Sequence, residues 1–347
     1  LVKAEQRRGN LTSTVLPVGT VAIDGKNVAT LHWHDLCRVL ELDEVTASVD
    51  KVRQELTKRF PQVQLCVPKE SKNKPYALAR VHTVTLISSR AAQCVHQQPI
   101  PGCTNEIGAM PKLLEELHRA YQRSSLIEMV TTDAGNTSLA MAGKIVGYGW
   151  AYFCQIKSDV GEIYREATRA LKNKRADEAD ANVSEHRDGT NVTYRVWCYD
   201  LDGEGWLDWT SARQLVRVQR TVVDRKTGNE KSVGNRYYVT SKTPTQLGPE
   251  SCMTISRKHW RCEDETHWSA DVALAEDRRR LSMSRHPNGV FVVGVLRMMA
   301  LNILAMARKL SRIGTSQEKP SWKQVAEHFF LVLCESTLET EAFDAAI

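Results

Sequence analysis

Arg257-Lys258-His259-Trp260-Arg261-Cys262-Glu263-Asp264-Glu265-Thr266-His267-Trp268-Ser269-Ala270-Asp271-Val272 sets three consecutive acids inside a frame of aromatic and basic side chains. A carboxylate held among Trp260, His267 and Trp268 needs a positive partner, because burying an unpaired charge is costly. Residues 249–271 read as helix, so Glu263 is expected to be carried by a helix to whatever the rest of the chain builds. Trp260 and Trp268, eight residues apart, would then fall near one face of that helix.

Two further acids close apolar runs upstream. Residues 16–24 read as a buried strand with Asp24 at its exit and Gly25 letting the chain turn away, and residues 126–132 read as a strand followed directly by Asp133. Between them lie a helix at 50–60, a loop at 68–75, and strands at 79–88 and 92–97 that Ser89-Arg90 joins as a hairpin. A helix follows at 106–123, with Met110, Leu113, Leu114 and Leu117 at helical spacing. Past Asp133 the pattern gives a helix (136–146), a strand (148–156) and a helix (159–173). Residues 172–188 read as a charged, solvated excursion with no catalytic part. Strands are expected at 192–199, 214–223 and 237–241. A long apolar helix covers 290–307, and a final amphipathic helix after Pro320 places Val325, Phe329, Val332 and Leu333 on one side.

These segments resemble, in order, the motifs of the H-repeat-associated proteins, the ISAs-type insertion-sequence transposases. The 257–272 stretch is similar to the family's third catalytic motif, with Glu263 on its glutamate. Thr20-Val21-Ala22-Ile23-Asp24-Gly25-Lys26 resembles the first motif, A-I-D-G-K, and Met129-Val130-Thr131-Thr132-Asp133-Ala134 the second, V-T-x-D-A. Asn105-Glu106-Ile107, Arg236-Tyr237-Tyr238-Val239-Thr240-Ser241 and the segment from Leu296 to Leu304 resemble three further family segments. Asp264 stands where the family has Asn, the H-G-R segment is reduced to Asp188-Gly189-Thr190, and G-N-Q is replaced by Ser158-Asp159-Val160.

The resemblance implies an α/β, RNase H-like mixed sheet flanked by helices, with a β-rich insertion and a C-terminal helical tail. Residues 1–172 would be the first part of the catalytic core and 173–248 the charged excursion and insertion. Residues 249–312 would close the core and bring Glu263 to it, and 313–347 would form the tail. The implied activity is that of a DDE transposase, with two divalent cations, Mg²⁺ or Mn²⁺, on Asp24, Asp133 and Glu263. Asp24 would bridge the ions, Asp133 would hold one and Glu263 the other. Lys26, Lys157 and Arg257 are expected to meet DNA phosphates, as is Arg278-Arg279-Arg280, and Trp260 and Trp268 to stack on a base. Double-stranded DNA and a second copy of the chain are the implied partners, with Val325, Phe329 and Val332 of the final helix as the candidate dimer contact or, equally, packed on the chain's own domain. The alternative is a domesticated descendant that binds DNA or a partner without transposition.

Bulk composition agrees with a globular chain. Its 347 residues are 42% hydrophobic, and 47 Lys and Arg against 41 Asp and Glu give a net charge of +6, which suits a polyanionic partner without requiring one. Nine scattered cysteines with no C-x-x-C pair exclude a disulfide framework and the common zinc knuckles, and point to a reducing cytoplasm. No G-x-S-x-G, P-loop or Rossmann fingerprint occurs. The apolar run at 290–307 holds Arg297 and Asn302, which a bilayer core penalises, so a buried helix is expected there. No secretory leader is expected, and, because the sequence opens on Leu1, a native N-terminus upstream is.

Overall fold

A computed structural model describes residues 2–70, 74–201, 207–274, 289–310 and 320–335. A short helix, α1 (Val2–Arg7), precedes β1 (Thr20–His32), which leads into α2 (Trp33–Leu40) and α3 (Val49–Arg59). Strands β2 (Val63–Cys66), β3 (Tyr76–Leu86) and β4 (Gln93–Pro99) are followed by α4 (Glu106–Tyr121), β5 (Met129–Thr132), α5 (Leu139–Gly147), β6 (Ala151–Ile156) and α6 (Glu162–Leu171). Four strands come next: β7 (Ala181–Arg187), β8 (Thr190–Asp200), β9 (Gln214–Asp224) and β10 (Glu230–Thr240). The last described elements are α7 (Pro249–Lys258), a π-helical turn (Cys262–His267), α8 (Trp268–Leu274), α9 (Gly289–Leu310) and α10 (Trp322–Glu335).

Among the described residues ten strands join one mixed sheet in the order β2-β3-β1-β5-β6-β10-β9-β8-β7, with β4 also pairing β3. The central strands β1, β5 and β6 are parallel, and β3 and β10 flank them antiparallel. Such a sheet between helical layers is the expected RNase H-like architecture. One face packs Leu113, Leu114 and Leu117 of α4, Met141 and Ile145 of α5 and Ile163 and Leu171 of α6 onto Val21, Ile23 and Val130. On the opposite face, Cys252 and Ile255 of α7 and Cys262 of the π turn cover Ala22, Met129 and Phe153. A smaller core at the far end of β1 gathers α2, α3 and the first turn of α9.

Several expectations need correction. Strand β1 does not stop at Asp24; it pairs with β3 from Val21 to His32 through a register shift between Asn27 and Ala29, so Gly25 is a strand residue. Its backbone is not in the left-handed region, so turning is not the reason for glycine. Part of the charged excursion is strand β7, an edge strand whose exposed side chains suit solvent while its backbone pairs with β8. Asp188 and Gly189, with φ of 42° and 74°, form the two-residue turn between β7 and β8. The strands of the β-rich segment join the central sheet, because β10 pairs with β6.

The long apolar helix α9 is long and apolar enough by composition to cross a membrane, yet about half of it is buried inside the protein. Asn302, 5% exposed, explains its placement. Its Oδ1 accepts from the Cys94 N–H at 2.9 Å and its Nδ2 donates to the Cys94 carbonyl at 2.8 Å, so one amide completes the outer edge of β4. Helix α10 packs back on α9, with Val325 fully buried against Leu304 and Ala307 and Phe329 beside them. Val325 and Phe329 therefore pack on the chain's own core, the second of the two arrangements expected for this helix. The side chains of Val332 and Leu333, and Arg278-Arg279-Arg280, lie outside the described residues.

Candidate active site

Parallel pairing of β1 with β5 ends at Ile23 opposite Thr132, and Asp24 and Asp133 are the next residue on each chain. Ligand sites of parallel α/β sheets form at this end of the strands. The face is set by alternation: Thr83, opposite Asp24 in β3, and Thr131, two before Asp133, both point at the helix carrying the third motif. Thr83 Oγ1 is 2.6 Å from His267 Nε2, and Thr131 Oγ1 is 3.3 Å from His259 Nδ1.

That helix is not regular. After α7 the backbone widens into a π turn, closed by the Trp268 N–H donating to the Glu263 carbonyl. Such turns recur at functional sites because an extra residue re-aims the side chains around it. It also separates the two tryptophans, which the sequence placed near one face. Trp260 lies under Arg236, 4.6 Å from guanidinium to ring centre, whereas Trp268 is 59% exposed in a different depression with Arg308, Lys309 and Trp322.

Arg261 ties the turn to the sheet. Only 7% exposed, its side chain donates to the carbonyls of Ile87 (2.5 Å), Ser89 (2.8 Å) and Arg90 (3.1 Å) and grips Glu265 with two bonds of 2.9 and 3.0 Å. With the turn fixed, Glu263 comes within electrostatic reach of both aspartates. Burial pushes the Asp24 carboxyl up to about 7, with Glu263 adding to the effect and Asp133 and Glu106 following, against the opposing Gly25 N–H at 2.9 Å. Glu263 is also raised, by partial burial first and then by Asp264 and Asp133, while Arg236 acts in the other direction.

His267 Nδ1 lies 3.4 Å from Asp24 Oδ2. Burial and the neighbouring Lys26 lower the imidazole to about 3, so it is neutral, and the contact is dipolar rather than an ion pair. Lys26 is itself buried, donating to the His267 carbonyl and to Asp271 Oδ1, both at 3.2 Å. It secures α8 instead of standing open to phosphate. Lys157 is exposed just past the end of β6.

All the convergent donors are carboxylate oxygens, the ligand type that suits Mg²⁺ and Mn²⁺ rather than softer metals. Among the described residues no three such groups already stand close enough to cage one ion. The charges pressing on Asp24 nevertheless make a site that a divalent cation would relieve. Two residues here escaped the sequence reading as site members, Glu106 and Asn136. Asn136 donates its backbone N–H to Asp133 Oδ1 at 3.0 Å and its Nδ2 to Glu106 Oε2 at 3.2 Å. The Asn105-Glu106-Ile107 segment was the available signal, but nothing in it says that Glu106 meets Asp24.

Beside the acids runs a groove of about 630 Å³ between the β8–β10 surface and the α7–π segment. Its walls carry Arg187, Arg220, Arg236, Arg257 and Lys258 together with Trp260. Arg257 stacks on Tyr194 at 4.4 Å and pairs with Glu185 of β7, so the charged excursion helps to shape this wall.

The sheet and its flanking helices thus have the layout of an RNase H-like α/β domain. A family model for the transposase DDE domain matches residues 41–303, well over half of the chain, and the chain belongs to that family. The matched stretch includes Asp133 and Glu263 and begins after Asp24. Over 246 residues the chain is 26% identical to the "H repeat-associated putative transposase YhhI" of Escherichia coli (strain K12), covering 68% of this chain and 61% of that protein. It has the same identity and coverage against YbfL of that strain. The chain therefore spans less than two thirds of the length of these relatives.

Proposed function

We propose that this chain is a DDE-type DNA transposase that cuts the phosphodiester backbone at transposon ends and joins the freed 3′ end to target DNA. The observation that carries this reading is the convergence of Asp24 and Asp133, from neighbouring parallel strands, with Glu263 from the π turn. Two divalent cations, Mg²⁺ or Mn²⁺, would supply activation of the attacking water and stabilisation of the leaving oxygen. Asp24, Asp133 and Glu263 would hold them. His267, neutral and anchored by Thr83, fixes the Asp24 carboxylate without neutralising it.

The substrate in this reading is double-stranded DNA. Arg220, Arg236, Arg257 and Lys258 line one groove that also reaches Asp264 and Glu265, the two residues after Glu263, and their charge would neutralise successive phosphates. Trp260, already capped by Arg236, offers a face for a base, while Trp268 and Lys157 lie outside this groove and would meet DNA elsewhere. Cutting two ends together calls for a homodimer on DNA, which light scattering of the protein on paired ends would detect and a monomer would refute.

The deciding experiment incubates full-length protein with the DNA flanking its own gene and Mg²⁺ or Mn²⁺, comparing wild type with Asp133→Asn. Nicked or joined products from wild type, falling more than about 100-fold in the variant, are expected, because loss of a direct ligand should exceed the 10–100-fold cost of losing an outer-shell partner. DNA binding by both proteins with no product from wild type would establish instead a domesticated, catalytically silent descendant.

A further inference from the structure

We propose that Glu106 is a fourth carboxylate of this site and helps to bind its divalent cation. The inference rests on the metal-dependent reading above and adds a ligand that the three acidic motifs do not include. Glu106 opens α4, on the face of the sheet opposite the π turn, where Asn105 caps the helix by accepting from the Gly108 N–H at 2.9 Å. It therefore approaches the end of β5 from one side of the sheet while Glu263 approaches from the other.

Gly25 makes that approach possible. A Cβ at this position would lie 2.3 Å from Glu106 Cδ and Oε1 and 2.7 Å from Oε2, so the carboxylate occupies the space an alanine methyl would need. Since Gly25 has no positive φ, close approach is the physical reason for glycine here. Asn136 then fixes the spacing of Glu106 to Asp133 by bonding both. It is 2% exposed, and its Oδ1 has no hydrogen-bond partner, which leaves an unused oxygen beside the two carboxylates.

No Lys or Arg pairs with Glu106 among the described residues, and its contact with Asn136 is a neutral amide. A carboxylate seated this carefully next to Asp24 without a counter-charge adds repulsion, which a bound cation offsets. Structural packing alone would be served as well by glutamine, whose carbonyl also accepts from Asn136. The contrast between Glu and Gln separates the two roles.

The test is calorimetric titration of Mn²⁺ into the full chain without DNA, for wild type, Asp133→Asn, Glu106→Gln and Gly25→Ala, with thermal melting in EDTA as the check of folding. Glu106→Gln is expected to weaken Mn²⁺ binding more than about 100-fold, beyond the cost of losing an outer-shell partner, with melting unchanged or raised, and Gly25→Ala to weaken it by displacing the carboxylate. Should Glu106→Gln fail to fold, Glu106→Asp, which keeps the charge on a shorter arm, takes its place with a smaller expected loss. Wild-type affinity in a folded Glu106 variant, with binding lost in Asp133→Asn, would overturn this inference and leave the three-acid reading intact. No Mn²⁺ binding by wild type would overturn both.

Discussion

Asp24 and Asp133 stand next to one another because each follows the last paired position, Ile23 with Thr132, of two adjacent parallel strands. The sheet register alone brings them together across more than a hundred residues of chain. Asp24 keeps its place because β1 continues past it, paired to β3, whereas β5 stops. One acid is thus embedded in a rigid ladder and the other sits at the start of a 3₁₀ turn, where its Oδ1 accepts from the Asn136 N–H.

Gathering carboxylates without a counter-ion costs folding stability, as at other sites built for binding rather than for stability. In EDTA, Asp24→Asn is expected to melt above wild type, by about 2–4 °C for each kcal/mol of repulsion relieved. Saturating Mn²⁺ should reverse the order, since only wild type gains the full binding term. A variant that melts at or below wild type in EDTA would show that the acids do not strain the fold.

Arg261 is the clamp between the π turn and the β3–β4 connection, and its loss removes a donor from three carbonyls and leaves Glu265, among the described residues, with Lys309 alone at 3.5 Å. Arg261→Ala is expected to cost about 3 kcal/mol, at the lower end of values for broken buried pairs because Glu265 retains some solvent. Urea denaturation would measure it. Arg261→Lys should restore the charge but not the fork of donors, and so recover only part of the loss.

Groove cations should affect DNA binding through salt. Arg220→Ala and Lys258→Ala are each expected to weaken binding and to reduce the slope of log K against log salt by about 0.9 for each phosphate that is no longer neutralised. Neither should alter Mn²⁺ affinity, because neither side chain belongs to the acid cluster. An unchanged slope in both variants would place the DNA on another face.

Acid should destabilise the protein through His259. Burial lowers this imidazole to about 4, with Arg236 also lowering it and Asp133 opposing. The folded state then binds fewer protons than the unfolded chain, so the stabilisation is complete above about pH 6.5 and is lost as pH falls towards 4, by roughly 3 kcal/mol. Melting temperature measured from pH 7.5 to 4.5 should fall, and less steeply in His259→Gln. Parallel curves for the two proteins would rule His259 out as the source.

What the sequence made legible was local. Apolar runs ending in Asp24 and Asp133, the leucine spacing of α4 and the ordered motifs identify the fold, because strand and helix periodicities need no distant information. Gly25 looked like the start of a turn, since the polar residues around it hid a strand that β3 holds in place. Strand β7 was masked by its charge, although Asp188-Gly189 is a good hairpin signal. The π turn follows no residue pattern, so the separation of Trp260 from Trp268 had no local trace. Glu106 belongs to the site only through tertiary contact with Gly25 and Asn136.

The amide of Asn302 against the edge of β4 also sets an order of events during synthesis. Strand β4 leaves the ribosome some two hundred residues before α9, so the Cys94 N–H and carbonyl wait exposed until the helix arrives. Sheet edges in that condition recruit strands from other chains. Nascent or prematurely ended chains lacking α9 are therefore the form most exposed to self-association, and docking of that helix is the step that retires the hazard.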